Sequence, residues 1–263
     1  VQAQTTVFEA MIEMTRGNLK HLAATGPDGS VVGTDTNRDL LTAQGQSPLF
    51  IVREIHSAAS RRDVQEKPLQ LPGLVQSLIT NGAKAENVTR LISTVSDAVL
   101  TRLVQFALEE LGPPPVPFVF MVMGSEGRHE QTLKTDQDNA IVFADVPDEA
   151  RPATQAYFLK LGERVCTWLH EAGYAFCQGG VMAQNPLWCQ PLAVWKEKFT
   201  DWIHAAEGQD LLHSSIFFDF RGAYGAMALI DDLRRHLFAS LEGFAGFFRH
   251  LTETALYFKP PLG

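Results

Sequence analysis

The sequence predicts an α/β chain of the α+β kind, a small sheet flanked by helices, and three observations carry that prediction. Phe118 to Met123 is a continuous apolar run of strand length, as expected of a strand buried on both faces. Val88, Leu91, Ile92, Val95, Val99, Leu103, Phe106 and Leu111 recur at helical spacing before it, and Phe158, Leu161, Val165, Trp168 and Leu169 do so after it. Between the two stripes, Asp136-Gln137-Asp138 opens a second strand. At 263 residues, 45% apolar and 20% charged, the chain has the composition of a soluble globular protein with room for one or two domains.

Taken in order, residues 5 to 41 read as helix, strand, turn, strand, helix. Val7, Ala10, Met11 and Met14 keep helical spacing, His21 to Ala24 suits a strand, Asp28-Gly29 is a hairpin-type turn, and Val31-Val32 resumes the sheet. Pro48 to Gly112 reads as helices, stopped by Gly112-Pro113-Pro114-Pro115, and serves as a connector whose apolar face packs on another element. Pro147-Asp148-Glu149 makes a loop, a helix runs from about Ala153 to Ala172, and Gly173 ends it. Cys177 to Pro186 is loop-like, with a double glycine and no readable role. Leu192, Trp195, Phe199, Trp202 and Ile203 form an aromatic stripe read as core. Ser215 to Arg221 is strand-like with Asp219 inside it, and residues 225 to 257 suggest two further helices with Met227, Leu229, Ile230, Leu233 and Leu237 on one face.

The chemistry concentrates between Phe118 and Ala144. The apolar strand stops at Gly124-Ser125, where the backbone turns and a short helix starts, so free N–H groups and the Ser125 hydroxyl converge as they do around a phosphate. Residues i and i+2 of a strand share a face, so Asp136 and Asp138 converge too. Paired carboxylates repel each other and lose hydration unless a divalent cation lies between them. The alternative is a turn followed by a solvated Asp pair. A lone carboxylate in an apolar strand needs a cation or strong donors, so Asp219 is a further candidate, with a pair to Arg221 or a capping role as its alternative.

A strand ending in Gly-Ser, followed about ten residues later by Asp-x-Asp, resembles the polymerase-β type nucleotidyltransferase superfamily. Gly124-Ser125-Glu126-Gly127-Arg128, Glu130-Gln131-Thr132-Leu133 and Thr135-Asp136-Gln137-Asp138-Asn139 are similar to nucleotidyltransferases related to the N-terminal domain of the uridylyltransferase that modifies the PII signalling protein. The likeness covers most of the chain from about Val52 onward. It implies a polymerase-β type core with a small mixed sheet, and transfer of a nucleoside monophosphate from a nucleoside triphosphate to a protein or small-molecule hydroxyl, in signalling or regulation. It further implies two divalent ions, Mg²⁺ or Mn²⁺, on Asp136, Asp138 and Asp219. Gly124 and Ser125 would hold the β- and γ-phosphates, and Arg128 or Lys134 would offset the charge of the leaving pyrophosphate. The alternative is a nucleotide-binding regulatory module without turnover.

Gly33-Thr34-Asp35-Thr36-Asn37-Arg38-Asp39 resembles the end of a cystathionine-β-synthase (CBS) motif, in which Thr36 and Asp39 would contact the ribose and phosphates of an adenosine nucleotide. Asp35 departs from the pattern, and only one motif is present, so a complete pair is expected in the full-length protein or a homodimer. Thr36 as a helix cap is the plainer reading. The resulting organisation is a partial CBS domain over 1–47, a helical connector over 48–115, the nucleotidyltransferase core over 116–224 and the start of a C-terminal helical domain over 225–263.

A formal net charge of −8 argues against a track for a nucleic-acid backbone. No uninterrupted apolar run is long enough to span a membrane and no signal-type segment opens the chain, so a cytoplasmic location is expected. Cys166, Cys177 and Cys189 lack CxxC spacing, and reduced thiols are expected. The opening Val1 and closing Pro260-Pro261-Leu262-Gly263 read as mid-sequence, suggesting a piece of a larger protein.

Overall fold

The chain divides into two units, residues 1–54 and 55–263. The computed structural model describes residues 1–17, 19–36, 39–40, 48–80, 82–204, 216–242, 244, 247–249 and 252. In the first unit, helix α1 (Val7–Gly17) is followed by strands β1 (His21–Thr25) and β2 (Val31–Thr36), which pair antiparallel with His21 opposite Thr36. Asp28 accepts hydrogen bonds from the Ser30 N–H and hydroxyl, which closes the hairpin turn. Ala10, Met14, Leu22 and Leu40 form the small core. Asn37, Arg38 and Leu41 of the CBS-like segment lie outside the described residues. Helix α2 (Pro48–Ser57) contains the boundary residue Glu54.

The second unit begins with helical turns: α3 (Arg61–Glu66), a 3₁₀ turn (Lys67–Gln70), α4 (Leu71–Thr80) and the long α5 (Ala85–Leu111). Ser60 caps α3 in a reciprocal capping box with Asp63. Helix α5 has the length and apolarity of a membrane span, but most of it is buried within the unit, where it packs on α7 (Arg151–Glu171). Gly112, at φ 81°, ends it as the sequence predicts.

The sheet that positions the site is four-stranded, in the order β7-β5-β3-β8: β3 (Phe118–Met123), β5 (Asn139–Phe143), β7 (Cys189–Pro191) and β8 (Phe220–Gly225). It is mixed, with β3 antiparallel to β5 and β8, and β5 parallel to β7. Every residue of β3 is buried, because helices cover both faces. On one face Val119, Met121 and Met123 meet Trp195 and Phe199 of α8 (Leu192–His204) and Leu233 of α9 (Met227–Leu241). On the other, Phe143 stacks against Phe158 of α7 and the Phe118 ring packs against it at a tilt. Each such side chain removed from water contributes about 2 kcal/mol, so the apolar run of β3 anchors the unit. The aromatic stripe of α8 is core as expected, with the Trp195 indole N–H donating to the Ile141 carbonyl at 3.2 Å.

Two expectations need correction. Asp136-Gln137-Asp138 does not open one continuous strand: β4 (Asp136–Gln137) pairs in parallel with β6 (Ala175–Phe176) in a separate two-stranded sheet, and the chain changes partner at Asp138. Nor is Ser215 to Arg221 a strand. Ser215 lies outside the described residues, 216–218 form a helical turn, Asp219 is a bend, and β8 starts at Phe220. Phe217 is nonetheless buried, which explains the apolar run. Of the two helices expected over 225–257, α9 is present, with Ile230, Leu233 and Leu237 inward and Met227 exposed; most of the second falls outside the described residues.

Candidate functional site

The register of β3 gathers the candidate residues at one end of the sheet. The Met123 N–H donates to the Asp138 carbonyl at 2.9 Å, and on the other side Met123 pairs with Phe220. Asp138 and Asp219 therefore lead into the two strands flanking β3. Between them the chain turns into the four-residue helix α6 (Gly124–Gly127). Gly124 has φ 58°, and a Cβ there would lie 2.9 Å from the Ile216 side chain and 3.4 Å from Asp138 Oδ2. A Cβ on Gly127 would lie 2.0 Å from the Asp219 carbonyl oxygen, so the turn rests directly on the backbone of Asp219. Glu130 N–H to Ser125 carbonyl (2.8 Å) and His129 N–H to Glu126 carbonyl (3.2 Å) close α6 as a Schellman motif, with His129 in the left-handed region at φ 59°.

Gln137 fixes the direction of the Asp pair. It is buried, and its Nε2 donates to the carbonyls of Cys166 (3.0 Å) and Tyr174 (3.1 Å), which leaves the alternate residues Asp136 and Asp138 facing the other way. Their ligand atoms and the Cys177 sulfur lie within 4.8 Å of one another. Burial pushes the Asp138 carboxyl up to about 6; the Cys177 thiol opposes this by hydrogen bonding, and the charge of Asp136 adds to it. Asp138 Oδ1 is buried and has no hydrogen-bond partner among the described residues. Burial and the neighbouring Asp138 in turn raise the Cys177 thiol.

Cys177 is a residue that sequence reasoning missed. Asn139 brings its loop to the site: the Ala183 N–H donates to Asn139 Oδ1 at 2.9 Å, and the Asn139 N–H to the Val181 carbonyl at 3.2 Å. Gly162 of α7 lets the loop approach, since a Cβ there would lie 2.4 Å from the Ala183 carbonyl oxygen. The signal in the sequence was the double glycine beside a cysteine, which carries no period.

Asp219 stands outside that trio. Its carboxylate accepts from Arg128 Nη1 at 2.5 Å, both side chains being about 42–43% exposed, and Arg128 Nε binds Glu130 at 2.7 Å. The pair of Asp219 with Arg221 is not formed; Arg221 reaches Asp97 of α5 at 2.7 Å and the Glu126 carbonyl at 3.1 Å. Glu126 keeps some exposed surface, yet its carboxyl is enclosed. Burial and the charges of Asp97 and Asp138 push it up to about 8, against the pull of Arg221. Lys134 is exposed on the segment before Asp136. Thr132, Leu133 and Thr135 of that segment line a cleft of about 210 Å³ with Leu69, Leu71, Ile92 and Tyr174. No charged residue lines it among the described residues, so it suits an apolar group rather than a triphosphate.

Thr36 and Asp39 lie in the first unit and bind each other. The Thr36 N–H and hydroxyl both donate to the Asp39 carboxylate (2.9 and 2.6 Å), and the Asp39 N–H donates back to the Thr36 hydroxyl at 3.2 Å, which is a capping box.

The donor set fits a divalent cation. Two converging carboxylates, one raised by burial and carrying an unpartnered buried oxygen, are relieved by positive charge between them. A family model described as putative nucleotidyltransferase DUF294 matches residues 69–209, just over half of the chain. The matched stretch contains α6, Asp136, Asp138 and Cys177 and ends before Asp219. No curated protein matches the chain.

Proposed function

The chain belongs to the family of putative nucleotidyltransferases DUF294, and from that premise we propose that it transfers a nucleoside monophosphate from a nucleoside triphosphate to a hydroxyl of a protein or small molecule. The observation that carries the reading is the convergence of Asp136 and Asp138 beside Gly124, at the end of the central strand. Asp136 and Asp138 would hold Mg²⁺ or Mn²⁺, with Asp219 completing the set for a second ion. Bound there, such ions neutralise the triphosphate and lower the pKa of the acceptor hydroxyl.

The backbone N–H groups at Gly124 and Ser125, with the Ser125 hydroxyl, bind the β- and γ-phosphates. The acceptor oxygen attacks the α-phosphorus in line, its bond to phosphorus forms as the bond to pyrophosphate breaks, and its proton passes to Asp219. Arg128, and Lys134 if its exposed side chain folds in, offset the charge building on pyrophosphate. Because Arg128 is bound to Asp219 in this structure, it exchanges that carboxylate for phosphate oxygens when substrate enters. The likeness to the PII-modifying uridylyltransferase makes UTP the first donor to try.

A second reading, nucleotide binding without turnover in a CBS-containing sensor, is favoured by the Arg128–Asp219 pair, which occupies the carboxylate that transfer needs. An adenosine nucleotide at Thr36 and Asp39 would also have to open the box between them. Incubating the full-length protein with each labelled nucleoside triphosphate, Mg²⁺ and cell lysate decides between the readings. Transfer predicts a labelled acceptor, lost on the order of 100-fold in Asp219→Asn with nucleotide affinity kept, and Asp138→Asn damaging both. Label transfer at the unaltered rate in Asp219→Asn would remove that residue from the chemistry. Binding with no labelled product from any nucleotide would favour the sensor.

A further inference from the structure

We propose that Arg221 is a positioning residue for the triphosphate: by joining Asp97 of α5 to the backbone of Glu126, it holds the Gly124–Arg128 turn in the one arrangement that meets the phosphates. The inference rests on the reading above that this turn binds the triphosphate.

A four-residue helix does not hold itself, because its nucleus costs more than its few hydrogen bonds return. What fixes α6 comes from β8 and the residues leading into it. Gly127 rests on the Asp219 carbonyl, Arg128 binds the Asp219 carboxylate, and Arg221 Nε donates to the Glu126 carbonyl at 3.1 Å. The contact of Gly127 is packing of backbone on backbone, which sets the distance of the turn without fixing its orientation, and the Arg128–Asp219 pair involves groups that the reaction itself must use, so it cannot also serve as the fixed support. Arg221 can. Its side chain is 16% exposed, its other end is tied to Asp97 at 2.7 Å, and the geometry of the guanidinium lets it serve both partners at once.

Removing it would leave the Asp97 carboxylate and the Glu126 carbonyl without the donor that joins them, and would free the turn to move outward. Ser125 and Arg128 would then have to be ordered again each time phosphate binds, at the expense of affinity.

The test is calorimetric titration of inorganic tripolyphosphate, at fixed Mg²⁺, into the full chain and its Arg221→Gln, Arg221→Lys and Asp97→Asn variants. Each is measured well below its melting transition, with melting curves taken in parallel. Binding is expected to weaken on the order of tenfold in Arg221→Gln and in Asp97→Asn, with partial recovery in Arg221→Lys, which keeps the charge but cannot reach both partners. If Arg221→Gln fails to fold, the other two variants carry the same comparison. A lowered melting temperature with unchanged tripolyphosphate affinity in the folded variants would make Arg221 structural only and overturn the proposal. No binding by the unaltered protein would remove the reading of the turn, and this inference with it.

Discussion

At the scale of single residues, Glu126 carries the clearest pH dependence. Its folded pKa of about 8 lies above the ordinary carboxyl value of 4.5, so between those pH values the folded state holds a proton that the unfolded state has lost. Its contribution to stability is complete below about 4.5 and is lost as the pH rises through about 8. Glu126→Gln, which cannot ionise, should therefore be more stable than the unaltered protein at pH 8 by about 4 kcal/mol and nearly equal to it at pH 4.5; denaturant melts at the two pH values check this. His129 offers a second measurement. Held at φ 59° where glycine normally closes a helix, it stores strain that His129→Gly releases, with an expected gain of about 1 kcal/mol in the same denaturant melts. A loss of stability would mean that the imidazole makes contacts worth more than the strain.

At the scale of elements, the loop from Cys177 to Pro186 is held by Asn139 and admitted by Gly162. Asn139→Ala leaves the Ala183 N–H without its partner and should cost about 2 kcal/mol, while Gly162→Ala forces the loop off α7 at a similar cost. Both should also move Cys177 away from Asp138, readable as faster reaction of the thiol with a maleimide, because the burial and carboxylate that raise its pKa are lost. The same elements show what the sequence could reveal. β3 and the stripes of α5, α7 and α8 were legible because burial on a strand or a helix face imposes a run or a period on the residues themselves. The convergence of Asp136 and Asp138 was legible from alternation alone, although the chain changes sheets between them. Ile216-Phe217-Phe218 was misread because a helical turn and a strand bury three apolar residues equally well, and only tertiary contact chooses between them. Cys177 and Arg221 left no local trace, since their partners Asp138 and Asp97 lie far away in sequence and neither pairing repeats.

At the scale of the whole molecule, the division at Glu54 and Ile55 places the family match entirely inside the second unit. A chain of residues 55–263 should therefore fold cooperatively without the first unit and keep its affinity for Mg²⁺ and tripolyphosphate; a broad, uncooperative melt of that chain would show that the first unit completes the fold. The central position of β3 has a consequence for how the molecule is made. Its β5 partner follows within about 25 residues, but its β8 partner arrives about a hundred residues later, in the order in which a ribosome delivers them. Until then β3 is an open edge of six apolar residues, the kind that recruits other chains. The nascent protein is thus most prone to aggregate in the interval when its carboxylate pair is already assembled and Asp219 is still unsynthesised, and a chaperone that binds extended apolar segments would find its target there.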